Sequence, residues 1–408
     1  MGGAAPPMIL GALLGTAATQ AANLATAMIA ARALLPEGRG DLALIVLWPM
    51  LAAQIASLSL SEAMLVLTAS GRGEARRLFA TGLWLTLALA ALAAAVAAFW
   101  LSPAALAARP EEVQAAGRLC LWLVPATLLS TLVLDALRGR LDHLGWAVLR
   151  SVQALAYLAG AVIAWRTGAG LFGFALAFVA SHALALLASA GRLALQGGVA
   201  VAPDAETARP LLGLGLRLHA GFVVQVLGGR VDQIAIALLL DPAQLGLYAA
   251  AMTLILGLLQ LTASISQAAF PGVLALAGRA ERVRAIRRTL VVVLIGIALA
   301  AVVLFALADI VVRLLFGAEF APAADLVRIL LLGILPHASR EVFMLALKAD
   351  GRPLAVGQAE VLSLGFFVVA LAVLVPRLGA PGTAAAYAAT QWLVALVMAW
   401  QSRGLFRA

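Results

Sequence analysis

The residues best equipped for chemistry in this chain lie where charge is least expected. In "GFVVQVLGGRVDQIAIALLLD", residues 221 to 241, Arg230 and Asp232 stand two apart in an otherwise apolar run. A guanidinium presents a planar fork of donors that matches phosphate oxygens, so Arg230 is a candidate ligand for an anionic head group. Residues two apart on a helix are separated by about 200°, so Asp232 points away from Arg230. It faces a neighbouring helix, in a structural or ion-coupling role. On a continuous helix His219, eleven residues earlier, and Gln233, three later, project to the side of Arg230. The spacing therefore predicts a His219–Arg230–Gln233 face. A structural ion pair with another helix is the alternative use of either charge.

Neutral polar residues recur at helical spacing elsewhere. Thr16, Gln20, Asn23 and Thr26 form one stripe; Gln54, Ser57 and Ser61 a second; Thr253, Gln260, Ser264 and Gln267 a third. Gln20, Asn23, Gln54 and Gln260 are candidate substrate contacts on a polar lumen. The simpler use of such stripes is hydrogen bonding between helices. Glu62 is a further titratable group in an apolar run, and Glu62 or Asp232 could bind a coupling H+ or Na+. His337, Arg340 and Glu341 share one helical face, and Arg340 with Glu341 would make a solvated pair near a span end. "GRAERVRAIRR", residues 278 to 288, reads as a basic segment beside anionic lipid head groups. The four histidines are scattered, no phosphate-binding glycine loop occurs, and Cys120 stands alone. These features predict no catalytic constellation, metal set or bound cofactor, and no enzyme.

The elements that must position these residues are membrane spans. Of 408 residues 64% are hydrophobic and 12% charged, with a mean hydropathy of +1.05. A soluble protein carries roughly 25% charged residues. Twelve runs are long enough to span: 8–34, 43–70, 78–101, 116–137, 144–165, 169–190, 211–239, 243–276, 289–315, 323–347, 354–376 and 381–402. The formal charge of +9 rests almost wholly on arginines in the short connections, which excludes nucleic acid as the natural partner. Eighteen basic residues fall on the side of both termini and eight on the other, which places the termini in the cytoplasm.

The chain also repeats itself. "LLPEGRGDLALIVLWPML" from Leu34 pairs with "LLDPAQLGLYAAAMTLIL" from Leu239, aligning Pro36 with Pro242 and Gly40 with Gly246. "SGRGEARRLFATGLWL" pairs with "AGRAERVRAIRRTLVVV", and "LVPATLLSTLVLDALRGRLDHLGW" with "ILPHASREVFMLALKADGRPLAVG", aligning Pro125 with Pro336. "WRTGAGLFGFALAF" pairs with "PRLGAPGTAAAYAA". The expected organisation is a six-helix bundle over 1–195, a cytoplasmic linker over 196–210 and a second bundle over 211–408. Six spans per repeat make the halves parallel, around a central cavity with alternating access.

These same residues carry a family resemblance. "ARALLPEGRGDLALIVLWPML", "GGRVDQIAIALLLDPAQLGLYAAAMTLILGLLQLTASISQAAFPGVLAL", "LLFGAEFAPAADLVRILLLGILPHASREVFMLALKADGRP" and "PRLGAPGTAAAYAATQWLVAL" together resemble polysaccharide flippases. These are O-antigen-type members of the multidrug/oligosaccharidyl-lipid/polysaccharide (MOP) superfamily, which share the all-α, twelve-span MATE-like fold. The resemblance implies transfer of an undecaprenyl-pyrophosphate-linked oligosaccharide to the periplasmic leaflet of a bacterial inner membrane. It also implies a role in lipopolysaccharide synthesis, with Arg230 on the pyrophosphate and polymerase and glycosyltransferases as partners of a monomeric flippase. A MATE-type cation-coupled drug or metabolite exporter is the alternative. A non-transporting membrane scaffold is a third reading, which the polar stripes oppose.

Overall fold

A computed structural model describes residues 6–101, 106–140, 142–196, 202–275 and 278–406, without the side chains of 6–17, 100–101, 143–144, 147, 150, 261, 263–275, 279, 353 and 405–406. Among these residues there is helix and no strand. In hydrocarbon every backbone N–H and C=O must find a partner within the protein, and a helix achieves that within one segment. The helices are α1 (Pro6–Ala56), α2 (Leu60–Ala69), α3 (Ala75–Val96), α4 (Glu111–Cys120), α5 (Leu123–Gly139), α6 (His143–Arg166) and α7 (Gly170–Leu195). They continue with α8 (Ala205–Gly228), α9 (Val231–Leu239), α10 (Pro242–Ala275), α11 (Arg279–Phe316), α12 (Ala323–Leu331), α13 (Ile334–Ala349), α14 (Pro353–Leu378) and α15 (Ala380–Phe406).

Helix occupies all twelve apolar runs. Among the described residues nine helices are long and apolar enough to cross a bilayer, and the pair α12–α13, bent by 41°, adds a tenth. One of the nine, α1, is two helices joined at a non-helical kink at Leu35 (φ 60°); it takes in the first expected span and the start of the second, which continues in α2. This is a multi-pass membrane protein. Its lipid-facing surface keeps large side chains such as Leu92, Leu187, Ile295, Leu299 and Leu396 more than 60% exposed, as a hydrocarbon solvent allows.

The chain forms two compact units, one of residues 1–34 and 41–226, the other of 35–40 and 227–408. The division falls at Val226–Leu227, not at the expected residue 211. The reason is local: Gly228 and Gly229 interrupt the seventh run, so α8 packs in the first unit while α9 belongs to the second. In the first unit Leu60, Met64, Leu78, Phe79, Leu132 and Leu211 form a closed core joining α2, α3, α5 and α8. In the second, Leu347, Val356, Val394 and Met398 join α13, α14 and α15.

Helix breaks echo the sequence repeat. α4–α5 and α12–α13 are each a short helix, a two-residue break and a longer helix, with Pro125 and Pro336 at the third position after the restart. Proline lacks the N–H that a helix interior needs and is tolerated in the first turn. A second echo lies in the Pro36/Gly40 and Pro242/Gly246 segments, both in the second unit. A Cβ on Gly40 would run into the Pro242 carbonyl, and one on Gly246 into that of Pro36. The two repeats thus touch through the same motif, and only glycine leaves the backbones room. At a span end, Asp142 caps α6 by accepting from the Gly145 N–H at 3.0 Å, while Arg192 on α7 donates to it at 2.9 Å. That arginine beside it holds the Asp142 carboxyl below the usual range.

Candidate functional site

The first unit contains a cavity of about 320 Å³ walled by α1, α2, α3, α5 and α8. Its shape begins with a helix failure. After Gln54 the chain reads Ser57-Leu58-Ser59, and Leu58 (φ 44°) and Ser59 (φ 50°) both take the left-handed conformation that side chains disfavour. Serine side chains compete with the helix for backbone partners, which is why this stretch can turn at membrane depth. Ser57 Oγ donates to the Gln54 carbonyl at 2.8 Å, and the Ser59 N–H donates to Ser57 Oγ at 3.3 Å. α8 clamps the break. A Cβ on Gly215 would come within 2.6 Å of the Leu58 carbonyl oxygen, and His219 Nδ1 lies 3.3 Å from Ser59 Oγ.

The break turns Gln54, Ser57, Ser59, Ser61 and Glu62 onto one wall. Thr127, Thr131, Asp135 and Arg138 on α5, Thr86 of α3 and Phe222 of α8 complete the lining. Arg138 donates to Asp135 at 3.1 Å and lies 5.1 Å over the Trp146 ring. Glu62 is exposed and has neither hydrogen bond nor ion pair among the described residues. Of the residues picked out from the sequence, Gln54 and Glu62 line this cavity and His219 braces its wall. Gln20, half-buried, and Asn23, exposed, lie on α1 outside its lining.

The second unit treats its charges differently. Asp232 is 3% exposed at the first turn of α9, where a carboxylate suits the helix N-terminus. It accepts from the Gln233 N–H at 2.7 Å and from the Tyr248 hydroxyl of α10, also at 2.7 Å. Arg230 donates to Gln233 Oε1 at 3.2 Å and is half-buried. On α13, Arg340 donates twice to Glu360 of α14, at 2.6 and 3.0 Å. His337 lies 3.2 Å from Gln391 of α15 and 4.0 Å from Glu341. Tyr387 of α15 is buried, its ring 6.3 Å from that of Phe367 on α14.

Two expectations are corrected here. The His219–Arg230–Gln233 face does not exist, because the helix stops at Gly228 and restarts at Val231, so rotation does not carry across. Arg230 and Gln233 are neighbours, whereas His219 belongs to the first unit. Arg340 does not form a solvated pair with Glu341; its partner is Glu360, one helix away. Gln260 is exposed on α10, and the side chains of Thr16, Ser264 and Gln267 lie outside the described residues. Glu360, Tyr248, Tyr387, Asp135 and Arg138 were not singled out from the sequence.

The helix order and breaks match a fold found in known membrane transporters. Over 96% of its length the chain superposes on 87% of a lipid II flippase MurJ in an inward closed conformation, with a TM-score of 0.80 and 14% identity. It superposes over 95% of its length on 94% of an inward-facing multidrug resistance MATE family transporter of the MOP superfamily, with a TM-score of 0.74 and 14% identity. A MOP superfamily transporter from Pyrococcus furiosus matches at 0.62 and 16% identity, covering 98% of this chain and 94% of that one. At such identities the likeness concerns the fold. The sequence itself goes further: residues 29–325, well over half the chain, match the family described as polysaccharide biosynthesis protein. The chain belongs to that family. No curated protein matches it in sequence.

Proposed function

We propose that this protein is a flippase that carries an undecaprenyl-pyrophosphate-linked oligosaccharide from the cytoplasmic to the periplasmic leaflet by alternating access. The observation that carries this reading is the hydroxyl- and carboxylate-lined cavity in the first unit of a polysaccharide-biosynthesis family member. A flippase must pass a polar head through about 30 Å of hydrocarbon while the polyprenyl tail stays in lipid. A polar wall built into a broken span gives that head hydrogen-bond partners on the way. Arg230 is the ligand we assign to the pyrophosphate. Its guanidinium is half-buried, and of its five donors only one is committed to Gln233. We place the protein in a bacterial inner membrane with both termini cytoplasmic, working beside glycosyltransferases and a polymerase of O-antigen or lipopolysaccharide synthesis. Coupling to H+ or Na+ is assigned to the buried cluster around Asp232.

A cation-coupled exporter is the second reading, favoured by the fold likeness to MATE transporters. Complementation separates them. Arg230→Ala should abolish surface polysaccharide in a flippase-deficient strain at unchanged protein level. Normal polysaccharide in that variant would remove Arg230 from the head-group role. Failure of the unmutated chain to complement, combined with export of a lipophilic cation, would favour the exporter.

A further inference from the structure

The first-unit cavity can be read by counting what its polar atoms have left to offer. Ser57 Oγ donates to the Gln54 carbonyl and Thr131 Oγ1 donates to the Thr127 carbonyl, each at 2.8 Å. A hydroxyl whose hydrogen is committed to the backbone shows a ligand only its lone pairs. Gln54 donates from Nε2 to the Met50 carbonyl at 3.3 Å, which leaves its second N–H as a donor and its Oε1 as an acceptor. The Glu62 carboxylate accepts and does not donate. Of the described lining residues Arg138 is the one cation; Asp135 takes one of its five donors and offsets its charge, and its guanidinium lies over the Trp146 ring. The N-terminus of α2 would itself attract an anion, but Glu62 stands in its first turn and supplies that negative charge.

The cavity therefore offers both acceptors and donors, and with Arg138 paired to Asp135 the unpaired Glu62 leaves its lining net negative. A phosphate, itself an anion at neutral pH, is the wrong ligand for it. A sugar ring, which presents several hydroxyl donors and an apolar C–H face, is the right one. Phe222 supplies an aromatic surface for that face. A volume of about 320 Å³ is that of a small-molecule pocket.

We infer that this cavity is a glycan subsite, in which Glu62 accepts from sugar hydroxyls, and that the pyrophosphate binds elsewhere. The inference rests on the flippase reading and adds a division of labour to it. Glu62 is then a specificity-determining carboxylate and has no part in ion coupling.

The test uses the full chain in lipid nanodiscs with Ser61→Cys as a reporter on the cavity wall. Cys120, the native thiol, is fully buried and stays unreactive toward a polar maleimide. The probes are the lipid-linked oligosaccharide fraction extracted from the source cells, glycan-free undecaprenyl pyrophosphate, inorganic pyrophosphate and tetraphenylphosphonium. The oligosaccharide fraction should slow alkylation about tenfold, and Glu62→Gln in the reporter background should remove most of that protection. Neither pyrophosphate probe should protect. Equal protection by glycan-free lipid, protection by the phosphonium cation alone, or protection indifferent to Glu62→Gln would overturn the assignment. A parallel flipping assay in proteoliposomes keeps the two readings apart. Flipping without protection sinks the glycan subsite and leaves the flippase standing; protection without flipping does the reverse.

Discussion

The two units of this protein share a helix plan and spend their polar residues in opposite ways. The first opens a span at Ser57–Ser59 and lines the gap with hydroxyls, an amide and the unpaired Glu62. The second turns its charges onto one another, Arg340 onto Glu360 and Asp232 onto Tyr248, across helix boundaries. The physical difference is whether a polar group has a partner in the protein. A partnered charge in a bundle holds helices together; an unpartnered one beside a cavity awaits a ligand. The comparison teaches that the two units have diverged in how they satisfy polar groups: the first leaves Glu62 without a partner beside a cavity, and the second pairs Arg340 with Glu360 and Asp232 with Tyr248 while Arg230 keeps donors to spare.

The sharpest way to break that contrast is to strand a charge in the second unit. Arg340→Ala leaves Glu360 without its partner and should cost about 3 kcal/mol, the lower end for a buried pair because both side chains keep some solvent. Thermal unfolding in detergent measures it. Replacing both residues by methionine should recover most of the loss, and no recovery would mean that the pair does more than neutralise charge.

Next come the crossing glycines. Gly40→Ala and Gly246→Ala each force a methyl group into the opposite carbonyl and should destabilise by about 1–3 kcal/mol, to similar extents. Two very unequal losses would show that the crossing is not shared evenly by the repeats.

The smallest stability effect belongs to the first unit. Glu62→Gln should shift unfolding by no more than about 0.5 kcal/mol, because Glu62 is exposed and unpaired among the described residues. A large loss of stability in that variant would place Glu62 in the structural class of Arg340 and erase the contrast.

Much of this was legible in the residues. Apolar run length located the helices, since each residue advances a fixed 1.5 Å and hydrocarbon has a fixed thickness. The alignments of Pro125 with Pro336 and of Gly40 with Gly246 marked the repeat; the structure added that the prolines sit at matching restarts and the glycines at a close backbone crossing. The sequence points Asp232 to another helix, and Tyr248 of α10 meets it there, though Arg230 lies outside α9 in a non-helical conformation and helical rotation does not relate the two. The same rotation misled at His219, because it was carried across Gly228–Gly229, where the helix is interrupted.

What the sequence determined by itself was therefore the helical class and the placing of apolar runs; the breaks inside those runs, at residues 57–59, 121–122, 229–230 and 332–333, came only with the structure. Partner choice needed the tertiary structure. Glu360 is twenty residues from Arg340, and Asp135 more than seventy from Gln54, yet each pair shares a cluster or a cavity. Helical period says which way a side chain points, and only the packing of neighbouring helices decides what it meets there. That packing left Glu62 facing a cavity and gave Arg340 a carboxylate.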